Sequence, residues 1–287
     1  KPVLACWMGQ DRVAEARSVL AEANILQFTS PERCLDAFSY LAAYERHQAV
    51  LLQAPSPQSA PTPPDLEGAR LMIEEAISQR RNRLTTSEAK ALLAAFHIPV
   101  QHSLNVNSPG DALVAAETLG LPVTLHINSS EDLDDDVLLP SRSVRDAPSV
   151  RSAYRDIMEE MEQRHPDARV SGVGVQRLRD RGGARELQVA VEHDEDFGPV
   201  IQLAPLYGSG ASRPAVSLPP LNLFLARDLM SRALVETPDL VRGEQEQQQL
   251  LDLLMRISEI CCELPEVRRL LIRPVVLSAD ALQVHDV

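Results

Sequence analysis

Aromatic side chains are scarce. Trp, Tyr and Phe make up 3% of the 287 residues, so any core must be filled by Leu, Val, Ile and Ala. Cysteine is scarcer, with Cys6, Cys34, Cys261 and Cys262 forming no CxxC pair and no Cys/His cluster, which excludes a zinc site. Each thiol is expected to be a small buried apolar group in a reducing, cytoplasmic setting. Positive charge is also short: 28 Lys and Arg against 41 Asp and Glu leave −13. That balance speaks against nucleic acid and against an anionic membrane as partners, since both reward a positive face. No apolar run reaches the roughly 18 residues of a membrane-spanning helix. The opening KPVLACWMGQ lacks the apolar stretch and cleavage site of a signal peptide. No GxSxG, HExxH or catalytic-cysteine context occurs.

What is present is α/β syntax on a scale of about two domains. Residues 3–6 and 25–28 read as short strands, each followed by a helix, over 12–23 and from Pro31 to about His47. Strand and helix in alternation imply parallel strands with helical crossovers. Some 48 residues are few for a doubly wound domain, and no Met opens the chain, so this segment is expected to end a longer domain. Residues 49–64 hold five prolines and read as a semi-rigid linker. A second domain is expected over 65–287. Its helices fall at 66–80, 85–96 (opened by a Thr85/Glu88 capping box), 108–120, 148–163, 221–233 and 244–263. Strands are expected at 98–104, 121–127, 170–178, 186–192 and 200–203, with a closing hairpin of 269–277 and 282–286. Asp180-Arg181-Gly182-Gly183 reads as a hairpin turn joining 170–178 to 186–192. Asn24, His97 and Gly120 each end a helix just before an apolar strand, where a left-handed cap is expected. The second domain is thus α+β.

Several segments, in order along the chain, resemble NDP-forming acyl-CoA synthetases. They are KPVLACWMG, SPERCLDAFSYLA, LTTSEAKALLAAFHIPV, LGLPV, GVGVQRL, GARELQVAVEHDEDFGPVI, LPPLNLFLARDL and IRPV…ALQVHDV. The resemblance implies the C-terminal part of a flavodoxin-like CoA-ligase domain (1–48) followed by an ATP-grasp-like domain (65–287). It is similar in particular to the synthetase-like region of bacterial Pat-type protein lysine acetyltransferases, in which a GNAT domain follows. That implies acetyl-CoA as a regulatory ligand, an attached C-terminal GNAT domain acting on protein lysines, and self-association into a homo-oligomer.

ATP chemistry needs hard oxygen ligands for Mg²⁺ and lysines for the phosphates. In active members of the resembled family a late strand close to E-x-D-x-N-P holds the metal. Here Arg269, Leu271 and Arg273 stand at the Glu, Asp and Asn positions. PVTLHI puts His126 where PVALKI carries a lysine, and a neutral imidazole supplies less charge. The acidic run Asp134-Asp135-Asp136 stands where a His, a Lys and a glycine pair are expected. The Gly-rich loop is reduced to Gly208 and Gly210, flanked by Pro205 and Tyr207. Four elements changed together argue for a ligase-like body without ATP-driven catalysis. ATP–Mg²⁺ is therefore disfavoured as a cofactor.

On this resemblance the candidate ligand contacts are His126, Gln176, Arg185, Glu186, Gly208 and Gly210, with no catalytic residue and no metal ligand. Arg177, Arg179, Arg181 and Arg185 can grip a CoA phosphate through bidentate geometry, or simply be solvated. The acidic run at 131–136 lacks the Gly and distal Glu of a calcium loop and reads as a solvated surface. His193 and Asp194 are strand neighbours, so they point to opposite faces.

Overall fold

The computed structural model describes residues 3–9, 11–53, 62–129, 140–166, 170–178, 185–206, 213–277, 282–285 and 287. The chain divides into two compact units, Lys1–Ser56 and Pro57–Val287.

In the first unit, β1 (Leu4–Cys6) pairs in parallel with β2 (Leu26–Phe28), Ala5 lying opposite Gln27. Helix α1 (Ala14–Glu22) connects them, and α2 (Pro31–Leu51) follows. Asn24 closes the turn into β2 with φ 53, a conformation that a short polar side chain tolerates. Ser30 caps α2 by accepting from the Arg33 amide, and Pro31 takes the first helical position. The helix runs to Leu51, a turn beyond the expected end, because nothing from Gln48 to Leu51 breaks it. Neither helix buries a side chain within this unit. Two parallel strands and their crossover match the expected α/β syntax, but two strands do not define a strand order.

The second unit is built on two antiparallel sheets. The smaller contains β3 (Ser103–Val106), β4 (Val123–Ser129), β5 (Ser141–Val144) and β6 (Val170–Arg177), in the order β3-β6-β4-β5. Its core side carries Val123, Leu125, Ile127, Val173 and Val175, packed by α5 (Pro109–Leu119) and α6 (Ala147–Arg164). The larger contains β7 (Arg185–Asp194), β8 (Gly198–Pro205), β9 (Ala215–Ser217), β10 (Arg269–Leu277) and β11 (Leu282–Val284), in the order β11-β10-β7-β8-β9. Its core is Leu187, Val189, Val191, Ile201 and Leu203 against four helices: α3 (Leu66–Ser78), α4 (Thr86–Ala95), α7 (Leu223–Ala233) and α8 (Gly243–Glu263). The aliphatic composition shows in both cores: among the described residues Phe96 and Tyr154 are the buried aromatic side chains.

Local chemistry behaves as expected at several ends. Thr85 and Glu88 form a full capping box, reinforced by Arg81, which reaches both Glu88 carboxylate oxygens at 2.8 Å. His97 and Gly120 carry the expected positive φ, 58 and 81. Three expectations are corrected. The strands 170–177 and 185–194 do not form a hairpin. β6 pairs with β3 and β4 in the smaller sheet, while β7 pairs with β8 and β10 in the larger, so the chain changes sheets between them. The turn residues 180–183 themselves lie outside the described residues. The strand expected over 98–104 begins only at Ser103, because residues 99–101 run beside β11 instead, with the Gln101 amide donating to the Val284 carbonyl at 2.8 Å. Of the four thiols, Cys261 alone is buried; Cys6 and Cys262 are exposed and Cys34 is half-buried.

Candidate functional site

Strand alternation sorts the smaller sheet into an apolar face and a polar one. With Val123, Leu125, Ile127, Val173 and Val175 in the core, the opposite face receives Thr124, His126 and Asn128 from β4 and Gly172, Gly174 and Gln176 from β6. Register sets His126 opposite Gly174, and Gln176 opposite both Thr124 and Ser103. Lys90 belongs to α4, whose Leu92 and Leu93 lie in the larger core, yet its Nζ meets Ser103 Oγ at 3.4 Å. The polar face is therefore turned toward the larger core, and the ground between the two sheets, where its polar atoms are closed to solvent, is termed the cleft.

His126 lies on this polar face, opposite Gly174. Its ring lies across β6: a Cβ on Gly174 would sit 2.3 Å from Nε2, so only glycine admits the ring there. Burial, and secondarily the charge of Lys90, push the imidazole pKa down to about 4, so the ring is neutral at pH 7. Both of its ring nitrogens are shut off from solvent without a hydrogen-bond partner. Gln176 lies on the same face, and its Oε1 is likewise buried and unbonded.

Glu186 and Arg185 are separated by the same alternation. Glu186 is buried opposite Val276, on the side of the larger sheet away from Leu187, Val189 and Val191. Arg185 points the other way, into the helices. Its Nη1 donates to Glu246 Oε2 at 2.6 Å and to the Leu240 carbonyl at 3.2 Å, and its Nη2 grips Glu246 Oε1. The expected phosphate contact by Arg185 thus gives way to a bond between β7 and α8. Hydrogen bonding from Arg185 holds the Glu246 carboxyl below its usual range. Gly208 and Gly210, the acidic run at 131–136, and Arg179 and Arg181 lie outside the described residues.

The late strand is β10. Leu271 pairs with Ala190 and so shares the side of Glu186 and Gln188, while Arg273 sits in the bulge between Ile272 and Val275. An isobutyl group and a guanidinium are not Mg²⁺ ligands. Among the described residues no three His, Cys, Asp or Glu side chains gather as a metal site. The donor set on this strand does not fit magnesium.

Three residues of the cleft were not singled out in the sequence. Lys90 carried a signal, a charged residue on the helical stripe that holds Leu93. Gln101 and Asn128 carried none, since each owes its place to pairing across the sheets. Gln101 Nε2 donates to the Arg177 carbonyl, joining the two places where the chain passes between sheets. Asn128 Nδ2 donates to Asn105 Oδ1 at 2.9 Å. His193 and Asp194 are exposed at a hairpin end. Asp194 Oδ1 there accepts from the amides of Asp196 and Phe197, which makes it a turn residue.

Residues 75–287 match the ATP-grasp domain family. The chain is 25% identical over 293 residues to the ADP-forming acetate–CoA ligase I of Archaeoglobus fulgidus, an alignment covering 100% of this chain and 42% of that protein. It is 27% identical over 220 residues to the beta subunit of the ADP-forming acetate–CoA ligase I of Pyrococcus furiosus, covering 74% of this chain and 93% of that one. Against the Archaeoglobus ligase and the 4-hydroxybutyrate–CoA ligase of Nitrosopumilus maritimus, the chain spans 42% and 40% of their length. Among solved structures, the dinucleotide-forming acetyl-coenzyme A synthetase 1 of Ca. Korarchaeum cryptofilum, in complex with coenzyme A and Ca-AMPCP, superposes with a TM-score of 0.68. The identity is 23%, over 76% of this chain and 97% of that one, which shows a shared fold. These relatives support kinship with NDP-forming acyl-CoA synthetases.

Proposed function

Because this chain belongs to the ATP-grasp domain family, we propose that it is the ATP-grasp half of an acyl-CoA synthetase-like body that no longer runs ATP chemistry. In this reading it binds acyl-CoA, acetyl-CoA foremost, or a nucleotide, and regulates an attached GNAT domain that acetylates protein lysines. Residues 1–48 then end a flavodoxin-like CoA-ligase half, and residues 65–287 form the ATP-grasp-like domain. A homo-oligomer and a cytoplasmic setting belong to the same reading. One observation carries it: the cleft strand presents Leu271 and Arg273 where ATP–Mg²⁺ would need oxygen ligands. The neutral, buried His126 supports it, since it offers no ammonium to a polyphosphate. The identity to ADP-forming acetate–CoA ligases supports the ligand class.

Calorimetry on the whole chain tests this. Acetyl-CoA is expected to bind, and ATP–Mg²⁺ to release no ADP. Tight ATP–Mg²⁺ binding with turnover would establish the rival reading, an active NDP-forming synthetase subunit. Silence toward both ligands would favour a scaffold that spaces or oligomerises its neighbours.

A further inference from the structure

The last residues of the proline-rich linker, Thr62, Pro63 and Pro64, are held by side chains far along the chain. Arg256 of α8 donates from Nη2 to the Thr62 carbonyl at 2.8 Å. His97, which closes α4, meets the Pro63 carbonyl through Nε2 at 3.0 Å. A carbonyl only accepts, so the ring nitrogen is the donor there. One residue on, the Asp65 amide donates at 3.0 Å to the carbonyl of Ala95, the last residue of α4, where helical partners have run out. Asp65 then opens α3, its Oδ1 accepting from the Gly68 amide at 3.0 Å.

Proline explains this mode of attachment. Pro63 and Pro64 carry no N–H, so they offer a surface only carbonyl oxygens and cannot donate to a strand ladder. Donors must come from the other side, and α8 and the end of α4 supply them. The Arg256 guanidinium is already oriented: its Nη1 donates to Glu259 Oε2 at 2.8 Å, and the side chain is only 14% exposed. Thr62 and Pro63 are themselves exposed, so the attachment is polar and lies outside both hydrophobic cores. A contact of that kind can open while the cores stay closed. We propose that the end of α4 and the C-terminal half of α8 form a recognition site for an extended proline segment, and that Thr62–Pro64 is a strap docked in it, releasable while the second unit stays folded. Docked, the strap fixes where the linker leaves the second unit. Released, it lengthens the tether by about 3 Å for each of its residues. This device is independent of what the cleft binds.

Amide hydrogen exchange on the whole chain, read by NMR, tests this with two substitutions. His97→Asn keeps a residue that tolerates the left-handed turn but is too short to reach Pro63. Arg256→Met keeps an apolar stem against α8 and removes the donors. In the double variant the Asp65 amide is expected to exchange about tenfold faster, with each single variant in between. The amide of Leu93, buried within α4, should keep its wild-type rate, and the melting temperature should move by no more than about 2 °C. Arg256→Lys, which can still donate to the Thr62 carbonyl, should recover most of the protection lost in Arg256→Met. Small-angle scattering should give the double variant a larger radius of gyration than the wild type. An Asp65 rate that is unchanged, or that rises only in step with Leu93, would overturn the strap as a separate device. An unchanged radius of gyration would overturn its control of the tether.

Discussion

The imidazole of His126 lies on Gly174 of the neighbouring strand, so close that a Cβ at 174 would meet Nε2 at 2.3 Å. The glycine is therefore a seat for the ring. Gly174→Ala is expected to lower stability by about 1–3 kcal/mol through overpacking. The same substitution in a His126→Ala background should cost well under half as much, because the clash is gone. Urea unfolding of the four proteins of this double-mutant cycle measures the coupling, and additive effects would show that the two residues do not touch.

The same ring makes a prediction about pH. Its pKa falls from an ordinary 6.5 to about 4 in the folded chain, through burial and then the charge of Lys90. As pH drops, the unfolded state takes up the proton first, so this residue favours unfolding progressively from pH 6.5 down to about 4. The folded chain then loses stability across that window beyond what its carboxylates contribute. His126→Gln should remove the excess loss and leave the steeper acid decline below it. Unfolding midpoints measured from pH 7 to 4 on both proteins check this, and parallel curves would mean that the ring is not held neutral.

Much of the fold was legible because its signals are local. Ser30, Thr85 and Ser108 accept from amides three residues on, and Asn24, His97 and Gly120 turn the chain with positive φ. Short-range chemistry of this kind is written in adjacent residues. The failure at 170–194 is equally physical. Two apolar strands around Asp180-Arg181-Gly182-Gly183 carry every local mark of a hairpin, but nothing local says that their partners are β4 and β10 in different sheets. The site was legible where a residue type was itself unusual, as with His126 and Leu271. It was hidden where function depends on distant pairing. Arg185 meets Glu246, 61 residues away, and strand alternation turns it from the cleft while its neighbour Glu186 stays.

That Arg185–Glu246 pair is nearly closed to solvent and binds through two parallel hydrogen bonds, tying β7 to α8. Glu246 also accepts from the Arg242 amide. Glu246→Ala leaves a guanidinium without its counter-ion in a dry place, a change worth about 3–5 kcal/mol. Replacing both by Leu should cost distinctly less, since no charge is then stranded. The sign with pH follows from the lowered Glu246 pKa: the pair stabilises fully above the ordinary carboxyl value of 4.5 and is lost as acid titrates the group below it. Denaturant titrations at pH 7 of both variants provide the check. A loss below about 1 kcal/mol in Glu246→Ala would show the pair to be solvated and weak.

The last prediction concerns β10. If the absence of metal ligands were the whole deficit, Leu271→Asp with Arg273→Asn would restore ATP turnover. The cleft argues otherwise. His126 supplies no fixed charge opposite the phosphates, and its ring occupies the ground above Gly174. Gln176 Oε1 and Asn128 Oδ1, buried on the same sheet face, are acceptors and offer a polyanion no hydrogen. Transition-state charge in phosphoryl transfer is stabilised jointly by metal and cations, so one half of the set recovers little of the rate. The double variant is expected to form no ADP above background in a coupled assay with ATP–Mg²⁺, acetate and coenzyme A present. It should also bind ATP–Mg²⁺ no better than the wild type. Adding His126→Lys supplies an ammonium from the strand that faces the cleft, and this triple variant is the first in the series expected to gain measurable ATP–Mg²⁺ affinity. ADP formation by the double variant would show that the phosphate side of the cleft is intact as it stands.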